Sequence, residues 1–131
     1  MPEAVVAITG ASGARYAVRL LESLCEAGWS THLIISREGA INLDLECGIT
    51  SAELASNPLI TLEDNDNLAA RSASGSARFD AYIVCPASGT TIGKIASGIS
   101  DNLATRSALV AMKERRKLIL VPRESPYATP H

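Results

Sequence analysis

Residues 5–24 read VVAITGASGARYAVRLLESL, and this stretch decides the fold class. Residues 5–9 form a continuous apolar run that ends at a glycine, which is typical of a strand buried on both faces of a parallel sheet. After Gly13, apolar residues recur at helical spacing while charged residues fall on the opposite face. The stretch therefore predicts a buried strand, a glycine-rich turn and an amphipathic helix in direct succession.

The same alternation of strands and helices continues along the chain. Three more strands are predicted, at residues 31–35, at 81–85, where Pro86 breaks the strand, and at 118–121. Predicted helices lie between them, one closed by Gly48 and a later one capped by Asp101 or Asn102, whereas residues 49–70 read as irregular. This order predicts an α/β fold in three layers, with a mostly parallel sheet covered by helices on both faces.

Composition excludes several classes of function. A chain of 131 residues is expected to form one domain, and 14 acidic against 12 basic residues leave no basic surplus for nucleic acid or an anionic membrane. No apolar run is long enough to span a membrane and the N-terminus lacks a signal pattern, so we expect a cytoplasmic protein. The three cysteines are widely spaced, and we therefore expect neither a disulfide framework nor a metal site.

Four polar segments follow the predicted strands. They are TGASG at residues 9–13, the pair Ser36 and Arg37, PASGTT at 86–91 and PRES at 122–125. Ligands of open parallel sheets bind outside the carboxyl ends of the strands, so these segments should line a crevice. Their hydroxyls, glycines and arginine favour an anionic or phosphorylated ligand.

The glycine turn matches no common phosphate-binding fingerprint. The dinucleotide pattern G-x-G-x-x-G fails at Ser12 and Arg15, and the short-chain dehydrogenase pattern would need glycines at Ala14 and Tyr16. A P-loop would need G-K-[ST], which is absent. Two readings remain open, namely a turn whose backbone amides and Ser12 hydroxyl face a ligand, and a tight turn with no ligand.

Several segments together resemble the UbiX family of flavin prenyltransferases, which were long described as aromatic acid or polyprenyl-hydroxybenzoate decarboxylases. The matching segments are TGASGARYAVRLLESL, Ser36 with Glu46 downstream, ARSASGSARFDAYIVCPAS and ASGISDNLATRSALVAMKERRKLILVPRESP. The order of ASGS, SDNLATR and KERRKLILVPRESP is the most specific part. The resemblance covers nearly the whole chain and implies a Rossmann-like flavoprotein fold.

The resemblance implies a metal-independent enzyme that acts on reduced FMN. Such an enzyme transfers a dimethylallyl group from dimethylallyl phosphate to N5 and then C6 of the flavin. The product, prenylated FMN, serves a partner decarboxylase of the UbiD type. Family members form homo-oligomers with the flavin between subunits, so a homo-oligomer is expected here.

The resemblance also assigns residues to the site by position. Those expected to hold FMN are Gly10, Ala11, Ser12, Ser36, Ser88, Gly89, Thr90, Thr91 and Arg123. The prenyl phosphate would contact Ala73, Ser74 and Gly75, and Glu46, Lys113 and Glu124 would surround the leaving phosphate. Lys113 would neutralise the charge that develops there, and Glu124 is the candidate for proton transfer.

Other readings of these residues stay open. Without the resemblance, Glu46 and Glu124 would be exposed carboxylates and Lys113 a cation at a helix end. Family members continue past the position of His131 with a tail that completes the prenyl phosphate site, so we expect residues 1–131 to be one flavoprotein domain without that segment. The alternatives are a non-catalytic FMN-binding module and a flavin-dependent cysteine decarboxylase, whose catalytic histidine and Asn-Met motif are not visible here.

Overall fold

Five strands form the centre of the fold in residues 1–123, the part of the chain that the computed structural model describes. They are β1 (Glu3–Ile8), β2 (Ser30–Ile35), β3 (Ile60–Glu63), β4 (Ala81–Ala87) and β5 (Leu118–Pro122). Their order in the sheet is β3-β2-β1-β4-β5, and every pairing is parallel. The chain therefore starts in the middle of the sheet and builds outward in both directions.

Helices cover both faces of this sheet. They are α1 (Ala14–Glu26), α2 (Arg37–Cys47), α3 (Ser51–Leu54), α4 (Gly89–Ala96) and α5 (Leu103–Lys113), with a 3₁₀ turn at Arg71–Ala73. The predicted three-layer α/β architecture is confirmed. Within the described residues, no helix combines the length and the apolar character needed to cross a membrane.

Strand β1 contributes to two separate cores because successive side chains point to opposite faces. Val6 and Ile8 pack in one core with Ala14, Ala17 and Leu21 of α1. Val5 and Ala7 belong to the other core, together with residues of α5 such as Leu103 and Ala111. Burial on both faces explains why this segment is apolar throughout instead of alternating.

The ends of two helices follow the sequence signals. Asn102 caps α5, since its Oδ1 accepts a hydrogen bond from the amide of Thr105 at 2.8 Å. Gly48 ends α2 in the left-handed conformation, with a φ of 63°. Both features were predicted from the sequence, with Asn102 one of two candidate caps.

Two sequence predictions about the sheet were wrong. Pro86 does not break its strand, because β4 continues to Ala87 and absorbs the proline in a register shift against β5. Strand β3 was read as part of an irregular segment because only Ile60 in it is buried, and a short, half-exposed edge strand has no apolar run. The short helix α3 lies in the same segment.

A glycine sets the close approach of α2 to β1. A Cβ on Gly39 would lie 2.5 Å from the carbonyl oxygen of Ile8. We expect Gly39→Ala to lower the free energy of unfolding by about 1–3 kcal/mol, the usual cost of overpacking, although alanine favours helix more than glycine does. Urea unfolding measures this change.

Ala40→Ser is the control, because Ala40 is the next residue of the same helix and is exposed. Its free energy of unfolding should stay within about 0.5 kcal/mol of the parent. If Gly39→Ala is as stable as the parent, α2 is free to move away from β1 and the close approach is not required.

Candidate functional site

A cleft of about 260 Å³ lies between the carboxyl ends of β1 and β4. This is the point where the strand order reverses, which is where open α/β sheets bind ligands. The structure brings five predicted cofactor residues to its wall, namely Gly10, Ser36, Ser88, Thr90 and Thr91. The wall also contains residues to which the sequence assigned no cofactor contact, namely Thr9, Glu38, Lys94 and Asn102.

The cleft continues into a second, polar cleft of about 450 Å³ beside the ends of β2 and β3. Ser36, Glu38, Lys94 and Asn102 line both. Lys94 contributes a positive charge to this shared wall and pairs with Asp101 at 3.0 Å. A further cleft of about 340 Å³ between α1 and α3 contains none of the predicted site residues.

Thr9 joins the two loops that form the first cleft. Its hydroxyl donates a hydrogen bond to the carbonyl of Pro86 at 2.6 Å and accepts one from the amide of Ser88 at 2.9 Å. The residue is only 3% exposed, so both bonds are shielded from water. The sequence placed Thr9 in the crevice segment TGASG but gave it no role of its own, because a threonine at the end of an apolar strand looks like ordinary strand composition.

Two hydroxyls in the cleft cap helices. Ser36 Oγ accepts from the amide of Gly39 at 3.0 Å at the start of α2. Ser88 Oγ accepts from the amide of Thr91 at 3.2 Å at the start of α4 and donates to the hydroxyl of Thr91 at 2.8 Å. The positive ends of both helix dipoles are therefore at this cleft, which favours an anion there.

Glu46 lies against the glycine turn. Its Oε1 accepts hydrogen bonds from the amides of Gly13 at 3.1 Å and Ala14 at 2.9 Å. It thus caps α1, because the residue at the cap position, Gly13, has no side chain that could do so. The turn is also held by Asn42, whose Nδ2 donates to the carbonyl of Ala11 at 3.1 Å. These bonds use part of the donor set that the sequence assigned to a ligand, while Ser12 remains exposed.

Arg123 lies on the other side of this turn. Its guanidinium carbon is 4.7 Å from the centre of the Tyr16 ring, a cation–π contact. A Cβ on Gly13, whose φ is 112°, would lie 2.9 Å from Nε of Arg123. Burial raises the pKa of the nearby Cys85 thiol, while the charge of Arg123 acts in the opposite direction. Glu124 lies outside the described residues.

Four predicted residues lie at the amino ends of the strands, away from the cleft, namely Ala73, Ser74, Gly75 and Lys113. Nη2 of Arg116 donates to the carbonyl of Gly75 at 2.6 Å, and Nη1 donates to the hydroxyl of Tyr82 at 2.9 Å and to the carbonyl of Ala77. Arg116 precedes β5, so the segment of Ala73, Ser74 and Gly75, here called the 73–75 loop, lies near the amino ends of the strands.

Lys113 is at the same edge, because it ends α5 three residues before Arg116 and is exposed. A strand of seven residues such as β4 spans roughly 20 Å, so one chain does not bring the 73–75 loop and Lys113 to the cleft. The predicted site is thus divided into two groups.

Comparison with known proteins identifies the family. The family model named Flavoprotein matches residues 2–128. The flavin prenyltransferase UbiX of Thermoplasma acidophilum is 47% identical over 125 residues, which are 95% of this chain and 68% of that protein. The chain belongs to the UbiX flavoproteins.

Solved structures of UbiX flavoproteins share this fold. The structure of AnUbiX in complex with FMN and dimethylallyl pyrophosphate superposes with a TM-score of 0.94 at 36% identity, covering 99% of this chain and 69% of that one. A dodecameric FMN-dependent UbiX-like decarboxylase from Escherichia coli O157:H7 has a TM-score of 0.93 at 39% identity, covering 98% of this chain and 70% of that one. The chain thus spans about two thirds of the length of these relatives, and the expected Rossmann-like flavoprotein fold is confirmed.

In this UbiX flavoprotein, Thr9→Val should open the junction between the two cleft loops. The substitution keeps the shape but leaves the carbonyl of Pro86 and the amide of Ser88 with one partner fewer. We expect the free energy of unfolding to fall by about 1–3 kcal/mol, the cost of unpaired buried polar groups. Urea unfolding measures it.

Thr31→Val is a matched control. Thr31 is a buried strand threonine, 1% exposed, whose hydroxyl has no hydrogen-bond partner within residues 1–123. Its replacement should be neutral or stabilising, because no bond is lost and a polar group leaves the core. Equal losses of stability in both variants would contradict the role given to Thr9.

Proposed function

We propose that this chain binds FMN in the cleft between β1 and β4 and acts as a flavin prenyltransferase. The observation that carries the proposal is the similarity, over 99% of the chain, to a structure that contains FMN and dimethylallyl pyrophosphate together. Identity of 47% to a flavin prenyltransferase supports the same activity.

The donors in the cleft fit the phosphate of FMN. Hydroxyls of Ser36, Ser88, Thr90 and Thr91 line the wall, the N-termini of two helices are directed at it, and Lys94 adds a positive charge. This combination of neutral donors, helix dipoles and a cation is suited to a phosphate monoester. Gly10, Ala11 and Ser12 would lie along the flavin on the β1 side, with Gly89 at the start of α4 and Arg123 across the turn.

Reduced FMN, when bound, supplies the nucleophilic N5 and C6 atoms. Glu46 holds a carboxylate beside the glycine turn, where it can accept a proton without moving because two backbone amides fix one of its oxygens. Lys113 would neutralise the departing phosphate, so that the allylic carbon–oxygen bond breaks without a metal. Glu124 remains the predicted proton-transfer residue.

A second copy of the chain would complete this site. The 73–75 loop and Lys113 lie at the far edge of the sheet, so they could meet a prenyl phosphate in the cleft of a neighbouring chain. We therefore propose a homo-oligomer in which each site combines residues from different copies. The dodecameric state of the E. coli relative supports this arrangement. The product would pass to a partner decarboxylase of the UbiD type.

Prenyl transfer can be tested directly. The purified chain is incubated without oxygen or metal with reduced FMN and either dimethylallyl phosphate or its diphosphate, and the flavin is then analysed by mass spectrometry. We expect a flavin heavier by one dimethylallyl group. Unchanged flavin that remains bound would favour a non-catalytic FMN-binding module, and failure to retain FMN would contradict the assignment of the cleft.

Glu46→Gln separates the capping of α1 by this residue from its proposed role in proton transfer. The amide oxygen of glutamine can still accept from Gly13 and Ala14, so the fold and FMN affinity should be kept. The loss of a proton acceptor should slow prenyl transfer by roughly 10²- to 10⁴-fold. Single-turnover rates and flavin fluorescence titrations measure the two quantities.

Glu22→Gln serves as the control, because Glu22 is an exposed carboxylate on α1 whose nearest charged partner is Arg19. Its rate and FMN affinity should match those of the parent. A Glu46→Gln rate equal to that of Glu22→Gln would remove Glu46 from the catalytic group.

A further inference from the structure

A buried polar cluster joins the edge strand β3 to the 73–75 loop. Glu63 ends β3, and its side chain is only 9% exposed. One carboxylate oxygen accepts from both the amide of Ser72, at 3.3 Å, and the Ser72 hydroxyl. The other oxygen lies 2.7 Å from Nδ1 of His32 on β2. None of these three residues lines the cleft between β1 and β4.

The 73–75 loop is held firmly on both sides. Before it, Glu63 fixes Ser72, and Arg71 lies 3.5 Å from the carboxylate of Glu3. After it, Arg116 holds the carbonyls of Gly75 and Ala77. The loop between these two anchors is built from small residues, which would otherwise be free to adopt many conformations.

The anchored loop presents unused donors. Within the described residues, the amides of Gly75 and Ser76 donate to no protein acceptor, and the hydroxyls of Ser74 and Ser76 lie 2.9 Å apart. Donors held in place before a ligand arrives bind it more tightly, because less conformational freedom is lost on binding. The conformation of Ser72 therefore matters to any phosphate bound at this loop.

We propose that Glu63 is a positioning residue for the prenyl phosphate, acting through Ser72 on the 73–75 loop. This inference rests on the proposed prenyl transfer. In this role Glu63 does not contact the prenyl phosphate. His32 holds the second carboxylate oxygen, so that the first is directed at Ser72.

The charges around the cluster keep Glu63 ionised. Burial acts to raise the pKa of Glu63, but hydrogen bonds from His32 and Ser72 and the charge of His32 outweigh it, and the pKa is lowered. Glu3 on β1 lies 3.9 Å from Nε2 of His32, and Arg71 pairs with Glu3. A lowered pKa means that the stabilisation is present at neutral pH and is lost only as the pH falls through the folded-state pKa, below 4.5. The anchor is therefore intact at neutral pH.

Glu63→Ala tests the proposal, because it should weaken the affinity for the prenyl phosphate without changing the affinity for the flavin. We expect the KM for dimethylallyl phosphate to rise about tenfold, because a loosened 73–75 loop loses the equivalent of one to two hydrogen bonds to the phosphate. The kcat and the Kd for FMN should stay close to the parent values. Glu63→Gln should restore most of the affinity, since its amide oxygen still accepts from Ser72. Ser72→Ala, which keeps the backbone amide, should give a smaller rise in KM.

Glu53→Ala is the matched control. Glu53 Oε1 accepts from the amide of Thr50 at 3.3 Å and from its hydroxyl at 3.2 Å, the same arrangement in α3 and away from the loop. Its KM should equal that of the parent. If Glu63→Ala raises the KM and the Kd for FMN in parallel, or changes neither, the positioning role is overturned.

Hydrogen exchange of the peptide over residues 72–77 keeps this proposal separate from the proposed function. Glu63→Ala should accelerate exchange in this peptide, whereas Glu53→Ala should not. If the parent chain forms no prenylated flavin, the proposed function fails, and the exchange result still decides whether Glu63 orders the loop. If the Glu63→Ala variant does not fold, Ser72→Ala is the perturbing variant and Glu63→Gln is its conservative control. Unchanged exchange in all variants would overturn the proposal.

Discussion

The parallel pairing of β1 with both β2 and β4 is the constraint on which the rest of the structure depends. It places β1 at the centre of the sheet, where its side chains must fill two cores at once. It also brings the ends of three strands to one edge, so that the glycine turn, Ser36 and Ser88 meet although they are distant in sequence. The single hydroxyl of Thr9 then fixes the spacing between two of these loops.

The cleft is polar because the N-termini of several helices lie beside it. Helices α2 and α4 both begin at this edge, and their first amides are partly satisfied by Ser36 and Ser88. The start of α1 differs, since Glu46 comes from α2 to cap it. A carboxylate that completes a helix is thereby held at the place where proton transfer is proposed, so under that proposal one residue serves both stability and chemistry.

The predicted residues are divided between the carboxyl and the amino ends of the strands, and this division is the most informative feature for function. Alternating strands and helices carry α5 back to the amino edge, which separates Lys113 and the 73–75 loop from the cleft. The length of the strands therefore keeps the two groups of predicted residues apart within one chain. The proposed association of copies would bring the two groups together, and a loop that acts across such an interface binds more tightly if it is rigid beforehand. The anchors at Ser72 and Arg116 provide that rigidity.

The sequence by itself determined the α/β class, four of the five strands and the crevice at the strand ends, because buried parallel strands are long apolar runs and their ends are marked by glycine and polar residues. It did not reveal β3, since an edge strand with one buried residue carries no such run. The resemblance to UbiX named residues but not their grouping. Tertiary structure alone decided that Thr9 bridges two loops, that Glu46 caps α1 and that Glu63 holds Ser72. These contacts join residues that are 9 to 79 positions apart in the chain, and no local pattern encodes which partner a threonine or glutamate will meet.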